Sequence, residues 1–170
     1  HHPRSPTSPS PPHLPPTSRT RTAHIPRRTL VLDTSVVAKW FLPEEFSEEA
    51  DRILEELRLG RSHTASPDLI VYEFANILWQ RQKKGEVSGR QAGAIMSDFE
   101  RLPIELVPAD VVGSQALKIA GKTGCTAYDG AFMALAEELK CTLVTADQRF
   151  VNLMAGTGFA KRVVWLGEWK

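Results

Sequence analysis

Four acidic residues stand where chemistry could use them. Leu30-Val31-Leu32 runs straight into Asp33, and Leu143-Val144-Thr145-Ala146 runs into Asp147. Each is a short apolar run that ends in an aspartate just as the spacing turns helical, which reads as a buried strand feeding a helix. In open parallel α/β sheets, ligands gather beyond the carboxyl ends of the strands. If the two strands are parallel neighbours, Asp33 and Asp147 leave the sheet on one edge. Glu73 lies between Tyr72 and Phe74 in an apolar helical stretch, and Asp129 follows Thr126 by three residues at the start of another.

Each acid also has a plain structural use. Asp33 and Asp147 could cap helices. Thr126 and Asp129 have the spacing of a capping box. Glu73 could lie on a solvated face or pair with Arg81 or a nearby lysine. A cap explains either strand-end aspartate alone; two of them favour a shared site. Four carboxylates together repel and raise one another's pKa values, and a hard divalent cation removes that penalty. Oxygen-only ligation selects Mg²⁺ or Mn²⁺ over zinc.

The remaining inventory excludes rival chemistries. Only His63 lies outside residues 1–28, so a histidine base or zinc cluster has little material. Cys125 and Cys141 stand in no metal or redox spacing and read as buried free thiols. No phosphate-binding Gly-rich fingerprint is present. Clustered acids without His or Cys point to metal-activated water attacking a phosphodiester.

Strands separated by helices must position these groups, which implies a parallel sheet covered on both faces. The pattern predicts strands at 30–32, 104–107, 141–145 and 163–166, with 64–67 a short strand or loop. Helices are expected after Asp33, from Ser47 to Gly60, from about Asp68 to Lys84, from Ser88 to Arg101, over 110–121 with Gly121 and Gly124 as breaks, from Thr126, and from Asp147 to about Gly156. The length suits one domain with a real core, and no apolar run is long enough to span a bilayer.

Charge divides the chain. Residues 1–28 hold eight of the twelve prolines and five arginines with no acid. Removing those arginines leaves 16 basic against 20 acidic residues, so the neutral total hides an acidic domain behind a basic segment. Residues 1–28 read as a disordered or polyproline-like tail, and residues 29–170 as the domain.

Four blocks carry a resemblance: Leu30 to Val36, Tyr72 to Leu78, Ala127 to Ala136, and Leu143 to Asp147. Over about residues 29–168 the sequence resembles PIN-domain ribonucleases, and specifically the VapC-type toxins of bacterial and archaeal toxin–antitoxin pairs. The resemblance implies a PIN-like three-layer α/β fold, with a central parallel sheet of four to five strands and helices on both faces. It implies that Asp33, Glu73, Asp129 and Asp147 form the catalytic, Mg²⁺-binding site (Mn²⁺ substituting), with Ser35 and Thr145 as supporting hydroxyls. It also implies an RNA substrate, a VapB-like antitoxin, a homodimer, and a cytoplasmic rather than membrane location. Arg149, Lys118 and Lys122 are candidate RNA contacts by their nearness to Asp147 and Asp129, with solvated helix ends the equal alternative. Trp40 and Phe41 are open between core and the groove where family members receive an antitoxin segment.

Two other classes compete. One is a non-catalytic RNA- or protein-binding module on the same fold. The other is an aspartate-dependent phosphotransfer domain; the haloacid dehalogenase type needs a second aspartate two positions after the first, and Ser35 stands there instead.

Overall fold

A computed structural model describes residues 28–170. The expected tail therefore lies outside the described residues, except for Arg28, which opens the first strand. Five strands form one parallel sheet: β1 (Arg28–Leu32), β2 (Ser62–Pro67), β3 (Ile104–Val107), β4 (Thr142–Thr145) and β5 (Val163–Trp165). Their order is β3-β2-β1-β4-β5, so β1 is central. Leu30, Val31 and Leu32 are all fully buried. Successive strand residues point to opposite faces, so consecutive burial means that both faces of β1 are covered. This is the three-layer α/β arrangement that the sequence implies. The sheet has the full five strands, because 62–67 pairs in register with both β1 and β3 rather than forming a loop.

Among the described residues, seven α-helices complete the layers: α1 (Thr34–Val37), α2 (Ser47–Arg58), α3 (Ile70–Lys83), α4 (Gly89–Phe99), α5 (Ala109–Thr123), α6 (Ala127–Glu138) and α7 (Gln148–Met154). α6 is the most deeply set. Gly130 through Ala136 are buried without interruption, as expected of a helix apolar on all sides. It packs on α5 and beneath β1, β2 and β4. Gly130 is required at this contact: a Cβ there would lie 2.7 Å from the Ala116 carbonyl oxygen. α3 and α4 close the opposite flank through Phe74 and Phe99, stacked at 4.4 Å between centroids.

One expected break is absent. Gly121 does not interrupt α5; the helix runs through it to Thr123 and ends at Gly124, whose φ of 79° supplies the left-handed turn. Trp40 and Phe41 divide the two roles left open for them. Trp40 faces α2, its Nε1 donating to the Ala50 carbonyl at 2.7 Å. Phe41 packs on Phe74 at 5.4 Å and also lines an open cleft with Val87 and Ile95. Among the described residues no helix is long and apolar enough to cross a membrane.

Candidate acidic site and its relatives

β1 and β4 are hydrogen-bonded parallel neighbours, with Leu32 level with Val144. Asp33 and Asp147 therefore leave the sheet on the same edge. Asp33 continues the pairing by one bond, its N–H donating to the Val144 carbonyl at 3.0 Å. Its carboxylate is half-buried and held by two hydroxyls on one oxygen. Ser35 Oγ donates to Oδ2 at 2.6 Å and Thr145 Oγ1 donates to the same atom at 2.7 Å. The hydroxyls are themselves anchored: Ala146 N–H donates to Ser35 Oγ and Asp147 N–H donates to Thr145 Oγ1, both at 3.0 Å. Ser35 and Thr145, the two hydroxyls expected beside the acids, both bond to Asp33.

Burial pushes the Asp33 carboxyl above the usual carboxylate range; the Ser35 and Thr145 hydroxyls pull it back, and the Asp129 charge adds a smaller upward push. Glu73 behaves alike. Burial raises it, the Thr34 hydroxyl lowers it, and Asp33 and Asp129 raise it further. Asp33 and Glu73 thus both feel the charge of Asp129. Glu73 is half-buried and accepts a hydrogen bond from Thr34 Oγ1. The alternative of an ion pair with Arg81 does not occur, since Arg81 pairs with Glu44 and Glu86 instead.

Asp129 realises half of its capping box. Its N–H donates to Thr126 Oγ1 at 3.0 Å, but none of the side-chain hydrogen bonds among the described residues engages its carboxylate. Asp33, Asp129 and Asp147 together line one narrow cleft with Phe132 and Phe150. Asp147 is exposed and does cap α7, its Oδ1 accepting from Phe150 N–H at 3.1 Å. Arg149 lines an adjoining cleft with Asp129 and Asp147. Lys118 and Lys122 are exposed on α5 and line neither of these clefts.

The donor set suits a hard divalent cation in kind, being oxygen-only, like-charged and partly withdrawn from water. Among the described residues, no three acidic, histidine or cysteine side chains yet stand around a common point. Glu73 is bonded to Thr34 and Asp147 to the start of α7. Cys125 and Cys141 are free but half-buried rather than buried as expected; burial pushes the Cys141 thiol up, outweighing the nearby Arg162.

Two groups near the acids, Thr34 and Lys39, escaped the reading of the sequence, and a third, Arg81, was considered only as a partner for Glu73. Thr34 is buried, and its hydroxyl holds Glu73. Lys39 and Arg81 face a wider cleft that shares Ser35 and Asp147 with the acids. The KWF run gave Lys39 no partner in sequence; Glu44, five residues on, reaches it only through a turn.

Residues 30–154 match the family model of the PIN domain. A relative named ribonuclease VapC3, from Pyrobaculum aerophilum, is 35% identical over 127 residues, spanning 72% of this chain and 92% of that one. A second, ribonuclease VapC9 of Mycobacterium tuberculosis, is 35% identical over 86 residues, 49% of this chain and 64% of its own length. Among solved structures, a toxin–antitoxin complex from Klebsiella pneumoniae superposes with a TM-score of 0.56 at 14% identity, over 81% of this chain and 97% of that one. That likeness is one of fold. The matched span contains all four acids, and with the parallel sheet that delivers them it makes this chain a member of the PIN domain family, in its VapC-type branch.

Proposed function

We propose that this chain is a metal-dependent endoribonuclease and acts as the toxin of a toxin–antitoxin pair. The observation that carries the reading is the convergence of Asp33, Asp129 and Asp147 on one cleft at the carboxyl edge of β1 and β4. The names of the relatives, ribonucleases of the VapC type, supply the substrate class. The toxin–antitoxin complex with the same fold suggests a VapB-like antitoxin as partner. A homodimer and a cytoplasmic site of action belong to the same proposal.

Asp33 and Asp129 would hold Mg²⁺, or Mn²⁺ in its place, with Glu73 and Asp147 completing the set. The bound ion would acidify a water and offset charge on the scissile phosphate. The chain's own residues do the positioning. Ser35 and Thr145 fix the Asp33 carboxylate, Thr34 holds Glu73 back from solvent, and Arg149 stands at the rim where a phosphate enters. Preset orientation of this kind lowers the cost of reaching the reactive geometry.

The test is cleavage of single-stranded RNA by wild type with Mg²⁺ or Mn²⁺, with EDTA, and by Asp33→Asn and Asp129→Asn. Cleavage should require the ion and fall by at least two orders of magnitude in either variant. Undiminished cleavage in both variants would sink the site assignment. A folded wild type that cleaves no RNA would favour the non-catalytic binding module.

A further inference from the structure

Beside the acids, and sharing Ser35, Ala146 and Asp147 with them, lies a wider cleft of about 430 Å³. Its other wall carries Lys39 and Arg81. Lys39 is only 8% exposed, and a buried ammonium is costly without an anionic partner. Glu44 is that partner. Lys39 Nζ donates to Glu44 Oε2 at 3.1 Å, and Arg81 Nη2 donates to the other oxygen, Oε1. Arg81 Nη1 is steadied from behind by Glu86 Oε2 at 2.5 Å. One carboxylate thus bridges an ammonium and a guanidinium.

Glu44 is reachable from solvent, as Arg81 is at 33% exposure of its side chain, whereas Lys39 is buried. It belongs to the irregular turn between Pro43 and Phe46, ahead of α2, and its side chain is about a third exposed, at 37%. A lysine and an arginine held a carboxylate's width apart form a seat for any oxyanion, and phosphate oxygens fit the guanidinium fork equally well. The domain beyond residue 28 is acidic overall, so RNA needs local cations to approach it. Asp147 lines both this cleft and the one that holds Asp33 and Asp129, so the two adjoin.

We propose that Lys39 and Arg81 form a second phosphate seat, for the phosphodiester next to the scissile one, and that Glu44 fills this seat until RNA displaces it. The proposal rests on the ribonuclease reading above and adds a subsite to it. Such contacts set the register of the strand without reading its sequence.

The experiment measures binding of a short fluorescent single-stranded RNA by anisotropy across a KCl series, in the Asp129→Asn background to prevent turnover, with Mg²⁺ present. Arg81→Gln should weaken binding several-fold and lower the slope of log affinity against log salt by about 0.7, the loss of one single-strand phosphate contact. Glu44→Gln should tighten binding several-fold. Thermal melts of both variants show that they are folded. A merely structural role for Arg81 would not flatten the salt slope, and would not make Glu44→Gln bind better. Unchanged affinity and slope in both variants overturn the seat. Polyglutamate displacing the RNA as well as unlabelled RNA does would also overturn it, in favour of an acidic protein segment. A wild type that binds in this way but hydrolyses no RNA overturns the ribonuclease reading and leaves the seat standing.

Discussion

Asp33 is a carboxylate that the fold holds at a cost. Its position at the end of the central strand withdraws it from water, and two hydroxyls recover only part of what is lost. A carboxyl raised on folding contributes stability that is fully present below its unfolded pKa and is lost as the pH rises through the higher folded value. At neutral pH, above the unfolded value, the group therefore costs the metal-free protein stability. Asp33→Asn should raise the melting temperature of EDTA-treated protein at pH 7, by about 2–4 °C for each kcal/mol relieved in a domain of this size. The advantage should shrink as the pH falls toward 4. A variant that melts lower at pH 7 would mean that the hydroxyl bonds outweigh desolvation. At this scale the sequence was legible where a strand pattern ended in an acid, as at Asp33 and Asp147. It was not legible at Thr34 or Lys39, whose partners Glu73 and Glu44 are chosen by how helices and turns pack. Lys118 and Lys122 show the converse: nearness to Asp129 along the chain did not bring them to the clefts beside it.

α6 sets where Asp129 stands. Its position depends on a contact with no slack, Gly130 against the Ala116 carbonyl. Backbone cannot swing aside as a side chain can, so Gly130→Ala must pry α5 and α6 apart. The expected cost is about 1–3 kcal/mol, as for other overpacked interiors. Because the displaced residue adjoins Asp129, cleavage should fall more steeply than stability does. Melting curves and RNA cleavage on the same samples check this; wild-type values for both would show that α5 yields. The helices themselves were readable from period and punctuation, since Gly60, Gly85 and Ser88 all mark ends that the structure keeps. Gly121 was misleading because a glycine inside a helix costs only about 1 kcal/mol, which burial of Val112, Ala116 and Ile119 overrides.

The two ends of the described domain meet far from the acids. The Arg28 guanidinium lies 4.3 Å above the Trp169 ring, and Arg52 donates to the Trp169 carbonyl at 3.4 Å. Trp169 is 7% exposed, so Trp169→Ala should cost about 3–5 kcal/mol. Arg28 is at the amino end of β1 whereas Asp33 follows its carboxyl end. Loss of Trp169 should therefore lower the denaturation midpoint while leaving RNA cleavage by the folded fraction unchanged, measured well below that midpoint. A matching loss of cleavage would show that the two edges of the sheet communicate. The parallel sheet was legible from alternating strands and helices. The closure by Trp169 was not, because nothing in a short terminal run says which surface it will cover.

The hydroxyl web around Asp33 also bears on how this site can be rebuilt. Ser35 touches the carboxylate of one strand's aspartate and the backbone next to the other's, and Thr145 does the same from the opposite side. Positions 33, 35, 145 and 147 are therefore a single inheritable module split across more than a hundred residues. A chimera that borrows β4 and its turn from a relative must borrow the β1–α1 turn with it, or the graft will set the Asp33 carboxylate against a hydroxyl fitted to another.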